Sequence, residues 1–260
     1  MMCNRRPRRR RRATAQLLPV LAFATGVVSP VVAADPVGAA TTYCYGFEVT
    51  VVGTAAAETI DVTDGVTADR DVIHGLGGDD VISGLGGDDV ICGGDGRDWI
   101  FGGPGADQIA GNRDADVVAG GEGADRLEGF AGNDLVSGGA GNDYVDSGDG
   151  NNFDHDWGDD VLFGDSAADV VRGAAGHDRL EGGDGTSDNS NDGFDRLYSY
   201  GGDDVLRDIV GDVDELVGGD GDDHIDARDR LPEEWHDRVR GGNGTDTCLI
   251  DAWDLGGCEL

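Results

Sequence analysis

Residues 75–146 can be cut every nine residues without a gap: GLGGDDVIS (75–83), GLGGDDVIC (84–92), GGDGRDWIF (93–101), GGPGADQIA (102–110), GNRDADVVA (111–119), GGEGADRLE (120–128), GFAGNDLVS (129–137) and GGAGNDYVD (138–146). The sixth position is Asp throughout: Asp80, Asp89, Asp98, Asp107, Asp116, Asp125, Asp134 and Asp143. The eighth is always a branched aliphatic: Ile82, Ile91, Ile100, Ile109, Val118, Leu127, Val136 and Val145. Two rows that hold independently through the whole stretch fix the register, and a composition bias alone would not produce them.

Nine residues are too few for a helical hairpin, and glycine at positions one, two and four disfavours helix. The unit fits a turn of about six residues followed by a three-residue strand, with position eight pointing inward and positions seven and nine outward. Two units would make one coil of a flattened, all-β, parallel solenoid with neighbouring strands about 4.8 Å apart. Glycines are expected to supply the φ > 0 turns. Those taken as turn and site residues are Gly75, Gly77, Gly84, Gly86, Gly93, Gly96, Gly102, Gly105, Gly120, Gly123, Gly129, Gly132, Gly138 and Gly141.

Such stacking places the sixth-position carboxylates of repeats n and n+2 above one another. One ladder then runs Asp80, Asp98, Asp116, Asp134, and the other Asp89, Asp107, Asp125, Asp143. Like charges about 5 Å apart repel by roughly 1 kcal/mol in water and by several times that near protein, so a cation must sit between them. Turns of carbonyls and carboxylates with no His or Cys in register suit a hard ion of flexible geometry, which is calcium rather than zinc. One buried aliphatic per repeat falls short of offsetting the ordering of nine residues. The coil is therefore expected to fold on calcium and to be disordered without it.

Outward from this stretch the phasing resumes after an irregular segment, with Asp160/Leu162, Asp169/Val171 and Asp178/Leu180. It continues past insertions at about 182–198 and 227–240 with Asp195/Leu197, Asp204/Leu206, Asp214/Leu216, Asp223/Ile225, Asp237/Val239 and Asp246/Cys248. Upstream, Glu58/Ile60 and Asp71/Ile73 look like imperfect repeats. Asp160, Asp169, Asp178, Asp204 and Asp223 join the candidate metal ligands. The organisation read from this is a capping segment at 41–74, a regular array at 75–146, a degenerate array at 147–249 and a C-terminal cap at 250–260, with no room for a separate catalytic domain.

The chain has 47 Gly, 44 Asp and 19 Arg but no Lys, and a formal charge of −34. By charge alone such a body would be disordered. It is also repelled by phosphate backbones and anionic lipid, which excludes nucleic-acid and membrane-surface partners. Residues 1–34 read as a secretion signal: a basic run from Arg5 to Arg12, then an apolar stretch from Ala13 to Ala34. Cleavage is expected after Ala34, or as late as Ala40. A membrane anchor is the rival reading, and Pro19, Gly26 and Pro30 weigh against it. Without the leader's arginines the charge becomes −41, and four cysteines remain. In an exported chain these read as disulfides rather than metal ligands. Of the three pairings open to them, Cys44 with Cys92 and Cys248 with Cys258 is the one expected.

GGAGNDYVD and its neighbours resemble the G-G-x-G-x-D-x-U-x nonapeptide of RTX, or haemolysin-type, calcium-binding proteins. The resemblance is strict over 75–146 and looser over about 53–249. The segment around Cys44, VICGGDG at 90–96 and GGNGTDTC at 241–248 further resemble small secreted calcium-binding proteins of actinobacteria. It implies a right-handed parallel β-roll with several calcium ions in the turns, held by sixth-position carboxylates and turn carbonyls of adjacent coils. Asn112 and Asp114 stand where the pattern wants Gly, putting the sites that share that turn in doubt, and Ala167, Asp212 and Thr186-Ser187 interrupt it downstream. Asp188–Gly193 has the spacing of an isolated calcium loop but lacks the closing Glu, Ser199 standing in its place, and reads as a polar loop.

No metalloprotease, nucleophile-elbow or phosphate-loop motif occurs, and the five His read as exposed loop residues. No enzyme activity is expected. On one outward face Val81, Trp99, Phe101, Val117 and Leu135 would form an apolar strip. Either an insertion or Tyr43–Val52 covers it, or it docks a protein partner or a second copy. The function expected is calcium binding by a secreted β-roll with a structural or interaction role. The alternative is an extracellular enzyme or adhesin that uses the coil as scaffold, with activity in the irregular 182–240 region.

Overall fold

The structure, a computed structural model, describes residues 43–61, 63–148, 158–183, 193–208, 214–228 and 237–250, with the backbone alone at 255–257. The leader and its cleavage sites, Cys258, the 188–192 loop, Asp212, Thr186-Ser187, His155, His236 and most of both insertions lie outside the described residues.

The described residues form an all-β parallel β-roll. Successive strands alternate between a 10-stranded and an 11-stranded sheet, each strand pairing with the one two further along the chain. In the regular array the register is eighteen residues: Ile82 pairs with Ile100, Ile100 with Val118 and Val118 with Val136. Across the two eight-residue interruptions it resets, Val136 pairing with Leu162 and Val171 with Leu197. Position eight lines a continuous core between the sheets, fully buried from Ile82 to Val239.

Two local expectations are corrected. Many strands have six residues rather than three, as in Val90–Asp95 and Val117–Glu122. The hydrogen-bonded ladder runs on through positions one to three of the next repeat before the chain turns. Positive φ falls on positions two and four and not on one: Gly94, Gly96, Gly103 and Gly105 have it, Gly93 and Gly102 do not. In the first two repeats the position-four residues are Gly78 and Gly87, with φ of 105° and 112°, whereas Gly77 and Gly86 are position three. Asn112 and Asp114 reach the left-handed region with φ of 86° and 68°, a conformation that Asn and Asp tolerate better than other side chains. The turn they occupy keeps its shape, as does the one at Ala167.

The N-terminal segment covers the outer face of the 11-stranded sheet. Tyr43–Cys44 and Phe47–Glu48 form an antiparallel pair around Tyr45 and Gly46, both at positive φ, as a tight hairpin turn requires. Cys44 is disulfide-bonded to Cys92. The Tyr45 hydroxyl donates to Glu128 at 2.7 Å, and burial together with that carboxylate drives the phenol pKa far up. Cys248 is also disulfide-bonded. The strip on the 10-stranded sheet is not what this segment covers: Trp99 is 55% and Phe101 41% exposed, with Val81 and Leu135 exposed and Val117 half-buried. His74 and His224 lie on strands rather than loops, and His177 is exposed in a turn.

Candidate metal centre

The sixth-position aspartates stand where the chain re-enters a strand, just before an outward residue and the buried aliphatic. That placement turns their carboxylates into the coil, and every one from Asp80 to Asp143 is at most 3% exposed. Each makes the same bond: its Oδ1 accepts the backbone N–H of the residue at the equivalent position one coil earlier, an aspartate in every case but that of Asp80. Asp80 N–H donates to Asp98, Asp98 to Asp116 and Asp116 to Asp134; in the other column Asp89 donates to Asp107, Asp107 to Asp125 and Asp125 to Asp143. These distances are 2.7–2.9 Å. Both ladders expected from the period are thus present as continuous hydrogen-bonded columns.

The columns extend further than the pattern alone suggested. One begins at the Glu58 N–H and continues from Asp134 through Asp160, Asp178, Asp204 and Asp223 to Asp246. The other begins at the Asp71 N–H and continues from Asp143 through Asp169, Asp195 and Asp214 to Asp237. Asp195, Asp214, Asp237 and Asp246 were legible as array positions without being picked as candidate ligands.

The second carboxylate oxygen decides the chemistry. Oδ2 of Asp80, Asp89, Asp98, Asp107, Asp116, Asp125 and Asp143 is buried with no hydrogen-bond partner, a costly state for a charged group. It packs closely against the position-one glycine of its own repeat, where a side chain would collide with it. A Cβ on Gly93 would stand 2.3 Å from Asp98 Oδ2 and 2.8 Å from the Gly111 carbonyl oxygen; at Gly102 the values are 2.3 Å to Asp107 Oδ2 and 2.7 Å to the Gly120 oxygen. Gly75, Gly84, Gly120 and Gly138 repeat the arrangement, while at Gly129 only the Asp134 side chain comes that close. Position-four glycines stack carbonyl upon Cα, a Cβ on Gly96 falling 2.3 Å from the Gly78 oxygen; Gly105, Gly123, Gly132 and Gly141 are equally tight.

Burial pushes these carboxyls up: Asp89 and Asp98 to about 6, Asp107 and Asp143 to about 7, and Asp116 to about 8. The backbone N–H bond pulls each back, and carboxylates of the same column, such as Asp134 and Asp98 around Asp116, raise it again. Asp80, Asp125 and Asp204 are raised for the same first reason, and Asp223 reaches about 6. A column of buried carboxyls beside carbonyl oxygens, once ionised, is a donor set for a hard divalent cation and matches calcium's preference for oxygen. No His or Cys takes part in these columns, which leaves nothing to favour a softer metal.

One departure escaped the sequence reading. Asp208 stands at position one of its repeat, where Gly is the rule, and is 1% exposed. Its carboxylate packs against Gly182, where a Cβ would meet Asp208 Oδ2 at 2.1 Å and Asp195 Oδ2 at 2.7 Å. Oxygens of Asp195, Asp208 and Asp214 consequently lie within 4.8 Å of one another. The signal was an acid at a glycine position, hidden by the irregular spacing on either side.

Comparison with protein-family models finds the RTX calcium-binding nonapeptide repeat (4 copies) at residues 66–100, 93–127, 119–154, 156–187, 189–207 and 210–229. These matches together span more than half of the chain. No curated protein matches it.

Proposed function

The chain belongs to the family of RTX calcium-binding nonapeptide-repeat proteins, and we propose from that premise that it is a secreted protein whose β-roll orders on calcium, serving structure or interaction outside the cell without catalysis. Its repeats bind calcium. The observation that carries the rest is the row of buried Oδ2 atoms without hydrogen-bond partners. The column aspartates from Asp80 to Asp143, with turn carbonyls of adjacent coils, would hold the ions. Calcium supplies the positive charge that allows stacked carboxylates to ionise in a buried column. The chain's own part is positional: Oδ1 locks each coil to the previous one, position-one glycine brings no side chain against Oδ2, and positive-φ residues bring carbonyls round the turn.

Export is supported by the Arg-rich and then apolar leader and by the demand for an ion abundant outside cells. No helix among the described residues is long and apolar enough to cross a membrane. A non-catalytic role is supported by the acids themselves, which are tied into columns rather than set apart as a pair. The interaction part rests on the strip of Val81, Trp99, Phe101 and Leu135, which lies open on the sheet face opposite the stapled segment. A second copy would dock there, and exchanging Trp99 and Phe101 for Ser would abolish self-association; an unchanged mass in solution removes that part.

Calcium titration of the chain followed by circular dichroism tests the whole reading. The β signal is expected to grow with calcium and to vanish in excess chelator. A coil that keeps the same compact shape in chelator would overturn it.

A further inference from the structure

The N-terminal hairpin lies across the strands of the 11-stranded sheet rather than along them. Cys44 is bonded to Cys92 on the strand Val90–Asp95. One residue on, the Tyr45 hydroxyl lies 3.3 Å from the Ile109 carbonyl oxygen on Gln108–Arg113 and donates to Glu128 on Arg126–Ala131 at 2.7 Å. On the way back the Thr50 N–H donates to the Val72 carbonyl at 2.7 Å and Thr50 Oγ1 accepts the Val72 N–H at 2.9 Å. Val51–Val52 then pairs with Ile73–His74. The segment from Cys44 to Val52 thus touches four successive strands of one sheet, which begin directly after Asp71, Asp89, Asp107 and Asp125. Those aspartates are consecutive members of one carboxylate column, so the strap and calcium hold the same coils in vertical order.

We propose that the Cys44–Cys92 bond sets the calcium concentration at which the roll folds, so that calcium orders the oxidised chain at concentrations that leave the dithiol chain uncoiled. The proposal rests on the calcium reading above and names its regulation. The bond forms by thiol–disulfide exchange: a disulfide-bearing oxidant takes two electrons and two protons from Cys44 and Cys92 and leaves as two thiols. Closing it restricts the free chain over a sequence separation of 48 residues. The loop so closed contains Glu58, Asp71, Asp80 and Asp89, the first rungs of both columns. Calcium binds the coiled chain and not the free one, so whatever favours coiling lowers the calcium required. In the coiled chain Cys44 is 1% and Cys92 6% exposed. The bond is therefore exchanged before coiling and locked after it.

Calcium titration of the full chain, oxidised or reduced beforehand in chelator, tests this, with the midpoint read by circular dichroism. A staple of ordinary strength shifts a folding equilibrium about a hundredfold. Shared among several ions that load together, it should raise the reduced chain's midpoint about threefold, with the same β signal at saturation. Reductant added only after calcium should cause no shift. C44S/C92S should match the reduced chain and ignore reductant, although its Cys248 bond remains. Y45F keeps the staple but loses the bond to Glu128, and its midpoint should fall between. Equal midpoints for oxidised and reduced chains would overturn the proposal, as would a reduced chain that coils at no calcium concentration. A reductant shift that persists in C44S/C92S would overturn it too, placing the sensor at Cys248. A stapled chain whose β signal ignores calcium would overturn the underlying calcium reading instead.

Discussion

The regular array, 75–146, and the degenerate array that follows share one core and one pair of aspartate columns but differ in how they are built. The first is strict in spacing, headed by glycine at every turn, and stapled at its start by Cys44–Cys92. The second is interrupted by insertions, and its position-one residues include Ser147, Ser199, Asp208 and Ala227, all buried. Pairing nevertheless resumes in register after each interruption, Val161 on Leu135 and Arg196 on Val170. The difference teaches that the coil tolerates extra length in a turn and a side chain at its head, but not loss of the inward aliphatic or the carboxylate before it. Those two contacts are renewed coil by coil, whereas a loop on the outside is constrained only at its ends.

The core tests this equivalence hardest. I100A in the regular array and L206A in the degenerate one each remove a fully buried side chain, so each should cost about 2–5 kcal/mol in denaturant unfolding with calcium present. If L206A costs much less than I100A, the second region is loosely packed and the two are not one core.

Replacing Cys44 and Cys92 together by Ser should lower stability by about 2–4 kcal/mol, because the bond closes a long loop in the unfolded chain. Amide exchange should rise in the coils under the hairpin, around Val90–Asp95 and Gln108–Arg113, and remain unchanged beyond residue 158. Equal loosening of both regions would show that the staple supports the whole roll rather than its first coils.

The column itself is probed at Asp116. D116A leaves the buried Asp98 N–H without its acceptor, at about 1–3 kcal/mol, while D116N keeps an amide oxygen at that place and loses the charge. Asp116, Asp107 and Asp143 have folded-state pKa values raised to about 8, 7 and 7, above an unfolded value of about 3.9. Folding without calcium is therefore most favourable near pH 4 and weakens as pH rises through those raised values. The β signal that the chelated chain lacks near neutral pH should therefore return in part as the pH is lowered towards 4, with D116N reducing the change. In calcium the order reverses, since protons compete with the ion for the same oxygens. A chelated chain whose β signal does not change with pH would show that the carboxylates are not buried as described.

Much of this was legible because the period is covalent. A nine-residue repeat with Asp at six and an aliphatic at eight determines the parallel coil, the eighteen-residue register, the inward rows and both ladders, since side-chain direction follows from counting along a strand. Sequence also pointed to the Cys44–Cys92 pairing. Only the tertiary structure decided which face the N-terminal hairpin covers, because a cysteine at position nine of either sheet could have received it, and only there did the strip at Trp99 emerge uncovered. It alone showed that Oδ1 of the column aspartates accepts a backbone N–H while Oδ2 of Asp80, Asp98, Asp116 and Asp143 has no hydrogen-bond partner, and that Ser199 and Asp208 are buried where glycine stands in the regular array. Those facts depend on distances between coils eighteen or more residues apart, which a local pattern can align but cannot measure.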